Sequence, residues 1–363
     1  MIGPKPRRTP GLTGYPGSEQ QLQTIADKVW GAKTDSPLLQ RSYGKGRVVC
    51  GLSISEVLGK AAVPPDFAFL SKTDNALLDF IHRRCDDAEV YFVVNRRASA
   101  LHADCTFRVS GKQPELWDQV TGEQRDLPQF ESKDGRTSIP LELEPYGAMF
   151  VVFRKSVPER EDTRQNRGEV NFPGLSQTQE LTGPWTIQFD PQWFYPTNGL
   201  SSDQARGLMV FDKLEDWTKR SEPAVRNFSG TAVYQQVFRM PAPVAGQRCY
   251  LDLGTVKDTA RVRLNGKDLG VIWCPPWRVE ITGAAKPGEN ALEIVVVNLW
   301  PNRLIGDSKL PAGERRTHTG LQMDIVDTSQ PVAALVGWIS KDPLPSGLLG
   351  PVTIQTAQRT GTR

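Results

Sequence analysis

The chain has 363 residues, of which 38% are hydrophobic, and its 44 basic residues nearly balance 41 acidic residues. This length exceeds one compact domain and predicts two or three. No apolar run approaches the ~20 residues that a membrane-crossing helix needs, so we expect no membrane partner. The charges are mixed along the sequence and sum to only +3, which argues against a nucleic-acid partner.

Residues 1–60 are predicted to be a partial α/β segment. Apolar residues between 18 and 30 recur at the spacing of one helix face, and 47–51 is a candidate buried strand. Ser53 and Glu56 have the spacing of a helix capping box. A single strand leaves both of its edges unpaired, so this segment indicates the tail of a larger α/β module, flavodoxin-like in type.

Residues 61–155 are predicted to form a small β-sandwich. The stretch TDNALLDFIHRRC (73–85) predicts a short helix, and five later stretches have the alternating apolar pattern of strands. These five are AEVYFVVNR, DCTFRVSG, PELWDQVTGE, TSIPLELEP and GAMFVVFRK. Residues 156–172 are polar without an apolar period and predict a linker.

Residues 173–357 are predicted to form a larger β domain, so the fold class expected for the whole chain is mainly β. The strand candidates are PWTIQFD, TAVYQQVFRM, QRCYLDLG, TARVRLNG, LGVIW, WRVEIT, ALEIVVVNLW and PVTIQT. Short strands in this number with few helices favour a jelly roll. Asn265-Gly266 lies between two alternating runs and is a strong hairpin signal. The long insert 191–226 is expected to cross one end of this sandwich.

The five cysteines show neither a CxxC pair nor the spacing of a zinc site, which favours buried free thiols. A bridge between Cys85 and Cys105 is the alternative in an oxidising compartment. The first residues lack the roughly 7 to 15 apolar residues of a signal-peptide core. Either the protein stays inside the cell, or Met1 is not its natural beginning.

Catalytic machinery is not recognisable in the residues. His82 in the predicted helix, His102 in a loop and His318 in GERRTHTG accompany no GxSxG elbow and no metal-ligand spacing. Four acids alternate with apolar residues on predicted strands, which favours solvent-facing positions: Asp252, Asp258, Glu280 and Glu293. No cofactor is predicted, although loop carboxylates would allow a structural calcium, with Asp307, Asp324 or Asp327 as ligands.

Tryptophans near strand ends favour carbohydrate recognition, because aromatic faces stack on the apolar side of a pyranose while polar side chains bond its hydroxyls. The candidate binding or docking residues are Trp273, Trp277, Trp300, Asn302 and Arg303. Core packing is the alternative for Trp185, Trp273 and Trp338, which lie in apolar strands. Trp277 follows Pro-Pro, and Trp300 lies in NLWPNRLIGD, where a strand runs out into a loop.

Four stretches of the larger domain resemble the galactose-binding-like, jelly-roll sugar-binding domain of family 2 glycoside hydrolases. They are FSGTAVYQQVF, YLDLGTVKDTARVRLNGKDLGVIWCPPWRVEIT, GENALEIVVVNLWPNRLIGD and SGLLGPVTI. NLWPNRLIGD in particular resembles the alpha-L-rhamnosidase-type enzymes of glycoside hydrolase family 106. GKGRVVCG (44–51) is similar to the end of their α/β module, and residues 83–123 are similar to their small β-sandwich. The resemblance covers about residues 1–357, and 228–307 is its specific part.

In that family the catalytic acids lie in a (β/α) barrel that precedes these modules, and no segment of this sequence corresponds to it. The resemblance therefore implies a non-catalytic, carbohydrate-binding region of a secreted or periplasmic enzyme that hydrolyses plant or microbial polysaccharide. A separate or missing barrel is the implied partner. CPPW is expected to dock on that barrel, and NLWPNRLIGD is expected to face the active site or a glycan.

Two alternatives remain at the level of sequence. The chain could be an independent lectin-like or protein-docking module that takes part in no hydrolysis. It could also be a complete enzyme whose acids have no recognisable pattern. An in-frame barrel upstream of Met1 would distinguish the first of these from an accessory region.

Overall fold

The structure is a computed structural model, and it describes residues 2–32, 39–157, 170–195, 200–242, 244, 246–317 and 342–357. The chain divides into two compact units. The first comprises residues 1–68 with 106–108, and the second comprises 69–105 with 109–363. In the part of the chain that is described, helices long and apolar enough to cross a membrane are absent.

The first unit contains two helices and a β-hairpin. Its elements are α1 (Gly17–Trp30), β1 (Leu39–Tyr43), β2 (Gly46–Cys50) and α2 (Ile54–Lys60), and it includes the first two residues of β3 (Phe67–Leu70). The expectation of a lone strand is wrong, because β2 pairs antiparallel with β1 along its whole length. β1 reads LQRSY, and its few apolar residues do not alternate, so the sequence pattern did not reveal it.

The two helices form where the sequence predicts them. Ala26, Val29 and Trp30 on α1 pack with Val48 of β2 in a small buried cluster, as the apolar spacing requires. The capping box before α2 is complete. Ser53 Oγ accepts a hydrogen bond from the Glu56 amide, and the Ser53 amide donates to Glu56 Oε2 at 2.7 Å.

The second unit begins with a small β-sandwich. Its strands are β4 (Leu78–Arg84), β5 (Glu89–Asn95), residues 101–105 of β6 (Leu101–Phe107), β7 (Lys112–Trp117), β8 (Gln124–Asp126), β9 (Glu131–Lys133), β10 (Arg136–Leu143) and β11 (Ala148–Ser156). One antiparallel sheet has the order β4-β5-β11-β7-β8, and in the facing sheet β6, β10 and β9 are neighbours. All five predicted strands of this region are present.

The predicted helix over 73–85 is wrong, and β4 occupies most of it. β4 pairs antiparallel with β5, from Leu78 opposite Asn95 to Arg84 opposite Glu89. It is an edge strand that exposes several of its apolar side chains, so the burial alternation that marks a strand is missing from its sequence. Cross-strand pairing outweighs the local helical pattern here. The linker predicted over 156–172 lies mostly outside the described residues.

The rest of the second unit is a larger β-sandwich. Its elements are β12 (Leu175–Glu180), β13 (Trp185–Phe189), α3 (Ser202–Ala205), β14 (Leu208–Phe211), a 3₁₀ turn (Trp217–Lys219), α4 (Pro223–Arg226), β15 (Thr231–Met240), β16 (Cys249–Asp252), β17 (Thr255–Lys257), β18 (Thr259–Leu264), β19 (Lys267–Ile272), β20 (Arg278–Glu280), β21 (Gly288–Val297), α5 (Pro301–Ser308), a second 3₁₀ turn (Ala312–Glu314), β22 (Gly347–Gly350) and β23 (Thr353–Ala357).

Two main sheets of this sandwich enclose one core. The orders are β14-β13-β15-β21-β18-β19 and β12-β23-β16-β20, and β17 pairs with β22. Alternate residues of β15 and β21 point inward, so that Tyr234 lies opposite Ile294, and both are fully buried. All eight predicted strands are present, and the insert 191–226 contributes β14 to a sheet edge. The fold is mainly β as predicted, while the jelly-roll topology stays a prediction.

Local signals in this sandwich are confirmed. Asn265 and Gly266 have φ of 53° and 80° and join β18 to β19, as a two-residue hairpin turn requires. Trp185 is 1% exposed and belongs to the core.

All five cysteines lie in the described part of the chain and are free thiols. The expectation that they are buried holds for Cys105 and Cys249 but is wrong for Cys85, which is exposed.

Candidate functional site

The predicted loop NLWPNRLIGD is a helix for most of its length. β21 ends at Val297, and α5 runs from Pro301 to Ser308, with Trp300 as its N-cap residue. Proline suits the first turn of a helix, because its fixed φ is helical and its missing N–H would have no partner there. The expectation of a loop is therefore corrected: α5 presents some side chains outward and buries others in the sandwich.

Asn302 is one of the buried residues, with 1% of its surface exposed. Its Nδ2 donates to the carbonyl of Leu344 at 2.7 Å and to Ser346 Oγ at 2.9 Å, and its Oδ1 accepts from the Leu344 amide. The side-chain amide is thus occupied in fastening α5 to the segment before β22. Asn302 therefore stabilises the position of α5, and its amide N–H groups are not available to a ligand in solvent.

Arg303 is also buried, with 6% of its surface exposed. Its Nη2 lies 3.0 Å from Oδ1 of Asp307, one turn along α5, and its guanidinium carbon lies 3.9 Å from the ring centre of Tyr195. The buried Nε has no hydrogen-bond partner among the described residues. Burial lowers the pKa of Arg303, and the Asp307 charge opposes that shift.

Asp307 joins α5 to the chain that follows it. Oδ2 accepts hydrogen bonds from the Arg316 amide at 3.2 Å, from the Thr317 amide at 2.8 Å and from Thr317 Oγ1 at 2.6 Å. Asp307 is only 3% exposed, so both of its carboxylate oxygens are buried and contact protein groups. This contact fixes the position of Arg316.

Arg316 is exposed, and its guanidinium carbon lies 4.0 Å from the ring centre of Tyr195. Arg303 lies at almost the same distance from that centre, so both guanidinium groups contact the same ring. Each is attracted to the π-electrons of the phenol. The arrangement holds one buried and one solvent-facing positive charge around a single aromatic ring.

Trp300 and Trp193 complete the surface. Their ring centres are 5.1 Å apart with an interplanar angle of 86°, and half of Trp300 is exposed. An edge-to-face contact of this kind fixes the outer indole while leaving a face of it accessible. We name Trp193, Tyr195, Trp300, Arg303 and Arg316 the aromatic–arginine cluster. Chemically it can stack on a flat apolar surface and donate hydrogen bonds from a fixed cation.

The other two predicted residues lie elsewhere, in the loop between β19 and β20. Trp273 is 57% exposed, so the alternative of core packing is wrong for this residue. It follows Ile272, the last residue of β19, at the point where pairing with β18 stops. Trp277 is partly buried against the core of the larger sandwich, and its carbonyl accepts from the Leu253 amide at 2.7 Å. Trp338 lies outside the described residues.

The sheet beside this loop contacts the small β-sandwich. Arg278 of β20 lies 3.6 Å from a carboxylate oxygen of Glu144, and Arg248 lies 3.2 Å from Glu123. Burial, together with the nearby charge of Asp118, raises the pKa of Cys274 in the CPPW loop. This side of the larger sandwich therefore contacts the small sandwich of the same chain.

Within the described part of the chain, the remaining chemical candidates do not assemble into a second site. His82 lies on β4, not on a helix, where it stacks on Tyr91 and contacts Glu89 at 2.7 Å. His102 lies on β6, not in a loop, and contacts Glu142 at 3.4 Å. His318 is outside the described residues.

Three of the four candidate acids have polar partners within the sheets. Glu293 pairs with Arg263 at 2.8 Å, Glu280 lies 3.6 Å from Arg248, and Asp252 accepts from the Gly254 amide. The fourth, Asp258, is partly buried; burial raises its pKa, and the charge of Lys257 and a hydrogen bond from the Leu299 backbone oppose that shift. Within the described ranges, no group of three His, Cys, Asp or Glu residues is arranged to hold a metal. Asp324 and Asp327 lie outside those ranges.

Sequence reasoning missed Trp193, Tyr195 and Arg316. Two sequence signals were available. DPQWFY (190–195) places Trp193 and Tyr195 in the segment after β13, and GERRTH contains two adjacent arginines. Neither pattern shows by itself that these segments meet over α5.

Comparisons with known proteins agree with this fold. A family model described as alpha-L-rhamnosidase, glycoside hydrolase family 106, matches residues 1–132. The solved structure of a rhamnosidase from Novosphingobium sp. PP1Y matches 98% of this chain with a TM-score of 0.75 and 32% sequence identity. A putative beta-glucuronidase from Formosa agariphila is 37% identical over 186 residues, which are 48% of this chain.

The chain spans only part of these relatives. It covers 30% of the Novosphingobium chain and 15% of the Formosa protein. This chain is a glycoside hydrolase-related protein: residues 1–132 match the alpha-L-rhamnosidase family model, and the fold is similar to that of a solved rhamnosidase.

Proposed function

We propose that this chain is a non-catalytic, carbohydrate-binding accessory region of an alpha-L-rhamnosidase-like glycoside hydrolase. The parent reaction is the hydrolysis of O-glycosidic bonds in plant or microbial polysaccharide. The fold match to the Novosphingobium rhamnosidase over 98% of this chain supports the relation to such enzymes. The catalytic barrel implied by the family resemblance is then the partner.

The observation that carries the binding role is the exposed indole of Trp300. It is half exposed, it is fixed by Trp193, and it stands at the start of a helix that Asn302 and Asp307 anchor. A rigid aromatic face loses little conformational entropy when a pyranose stacks on it. Binding sites generally depend on such preorganised groups.

A glycan-binding titration tests this role. The complete chain is titrated calorimetrically with an L-rhamnose-containing oligosaccharide, and Trp300→Ala is compared with the wild type. Stacking contributes about 1 kcal/mol, so the dissociation constant should rise about fivefold. Trp273→Ala is the matched control, since it removes an equally exposed indole outside the cluster and should bind as the wild type does.

Two outcomes contradict the proposal. If Trp300→Ala and Trp273→Ala both bind like the wild type, Trp300 is not a binding residue. If the purified chain releases rhamnose from a rhamnoside without a partner, the chain is not an accessory region but an enzyme.

A docking role for the CPPW side is a second candidate, and the exposed indole of Trp273 next to this loop favours it. In this role Trp277 and its neighbours set the position of the larger sandwich for a glycan that is bound elsewhere. Trp277→Ala should then leave binding of isolated oligosaccharide unchanged but lower the association with a barrel-containing partner.

A further inference from the structure

We infer that Arg316 recognises the carboxylate of a uronic acid residue in the bound glycan, which makes the aromatic–arginine cluster selective for acidic sugars. This inference rests on the proposed carbohydrate-binding function and adds the substrate class. Four observations support it: the charge balance of the cluster, the position of the Arg316 guanidinium, the buried Arg303 below it and the adjacent indole surface.

The charges of the cluster do not balance. Arg303 and Arg316 supply two positive charges, and Asp307 is the carboxylate that contacts them. Asp307 gives one oxygen to the Arg303 guanidinium and the other to the amides and hydroxyl of the following chain. Among the described residues, no carboxylate oxygen lies within 4 Å of the Arg316 guanidinium. One positive charge is therefore left facing solvent.

The position of that charge is fixed. The Arg316 amide is bound to Asp307, and its guanidinium lies over Tyr195 at 4.0 Å, so both ends of the side chain are constrained. A planar guanidinium that stacks with one face keeps its N–H edge free for two parallel hydrogen bonds, the geometry that matches a carboxylate. An ordinary exposed arginine has no such preorganisation.

The buried Arg303, which also contacts Tyr195, favours binding of an anion at Arg316. Arg303 is almost fully buried, and its Nε has no partner among the described residues. The two cations that contact this ring repel each other, and this repulsion contributes to the lowered pKa of Arg303. An anion bound to Arg316 would offset this repulsion, so the cluster gains more from a negative ligand than from a neutral one.

The exposed indole of Trp300 favours an anion that carries a sugar ring over other anions. Trp193 contacts Trp300 and precedes Tyr195 by two residues, so the stacking face and the free cation belong to the same corner of the sandwich. A pyranose on Trp300 and a carboxylate at Arg316 together describe a uronic acid, either as the stacked residue or as its neighbour. A sulfated sugar presents similar charge without a planar carboxylate.

The test uses the complete chain and two forms of one disaccharide, rhamnosyl-glucuronic acid and its methyl ester. Esterification removes the charge and leaves the pyranose rings unchanged. In the wild type, the acid should bind about tenfold more tightly than the ester, as charge-assisted hydrogen bonds predict. Arg316→Gln should remove this difference without weakening the ester, and added salt should weaken only the acid.

A matched control is Arg239→Gln. Arg239 is an exposed arginine on the outer face of the six-stranded sheet, where it pairs with Glu289 at 2.8 Å. This variant should retain the tenfold preference. Circular dichroism confirms that each variant is folded, and Arg316→Lys distinguishes charge alone from the bidentate geometry, since it should restore only part of the preference.

Each remaining result is decisive. If acid and ester bind the wild type equally and both lose affinity in Trp300→Ala, the uronate inference is overturned and the carbohydrate-binding function stands. If neither form binds, the proposed function fails and the inference fails with it. If a sugar sulfate binds more tightly than the uronate, the carboxylate is the wrong ligand.

Discussion

Trp193 and Trp300 meet edge to face, with ring centres 5.1 Å apart and planes inclined at 86°. The first follows β13 and the second precedes α5, so the contact joins two segments that are far apart in the sequence. Because one indole supports the other, a half-exposed tryptophan is held in a defined orientation. An unsupported surface tryptophan would lose rotamer freedom on binding, and this pair has already lost it.

Asp307→Asn should destabilise the larger sandwich. The change leaves Arg303 as a buried charge without its counter-ion, and loss of one partner of a buried pair costs about 3 kcal/mol in the free energy of unfolding. Urea unfolding followed by tryptophan fluorescence measures this loss. Asp268→Asn is the control, since its pairing with Arg261 is exposed, and its unfolding midpoint should stay that of the wild type. Equal midpoints for both variants would contradict the assignment.

Tyr234→Phe should also be strongly destabilising, although it removes a single oxygen. The Tyr234 hydroxyl accepts from Trp217 Nε1 at 2.6 Å and from the Leu348 amide at 3.1 Å, and the site is fully buried. Phenylalanine leaves both donors without an acceptor, at a cost of about 3 kcal/mol. Thermal unfolding measures the effect, and Tyr146→Phe at an exposed turn should leave the midpoint unchanged.

Glu115 should make the stability of the protein sensitive to acid. Burial raises its pKa, but hydrogen bonds from Arg154 and Trp117 and the charge of Lys155 outweigh burial, and the net pKa is lowered. A lowered folded-state pKa gives stability that is present above the unfolded value near 4.5 and is lost as pH falls through the folded value.

Chemical unfolding of the wild type and Glu115→Gln at a series of pH values measures this contribution. The wild type should be more stable at pH 7, and the difference should shrink below about pH 4.5, where the carboxylate begins to protonate in the unfolded chain. A difference that stays constant down to pH 3 would show that Glu115 acts through packing and not through its charge.

Gly254→Ala should be far more harmful than Gly266→Ala, although both glycines have positive φ. A β-carbon at 254 would meet the backbone of Gly350 and lie 2.6 Å from the Pro351 carbonyl, whereas one at 266 meets nothing within 4 Å. The second change carries only the conformational cost of about 1 kcal/mol. Soluble yield and thermal midpoint of the two variants measure the contrast, and similar values would refute the close backbone approach.

The sequence by itself determined five strands of the small sandwich, eight strands of the larger one and the turn at Asn265-Gly266. In β15, residues alternate between the core and the solvent, and a period of two is visible in the letters because burial acts on each side chain separately. The same holds for the helix face at 18–30 and for the capping box of Ser53, whose partners are local.

Tertiary structure decided what the sequence pattern misjudged. β4 carries a helix-like pattern and forms a strand because β5 offers it hydrogen-bond partners. The sequence NLWPNRLIGD correctly predicted the end of a strand but did not predict α5. Asn302 and Arg303 of this helix can be buried because Leu344 and Asp307 supply their polar partners.

The cluster itself depends on such distant contacts. Tyr195 and Arg316 come together only because Asp307 holds the chain after α5 beside it. Composition and apolar periodicity indicate which side chains of a segment face the core and which face solvent. They also identified Trp300 as a residue at a strand end. They do not show which segments contact each other, because those contacts depend on packing of the whole core and on long-range hydrogen bonds.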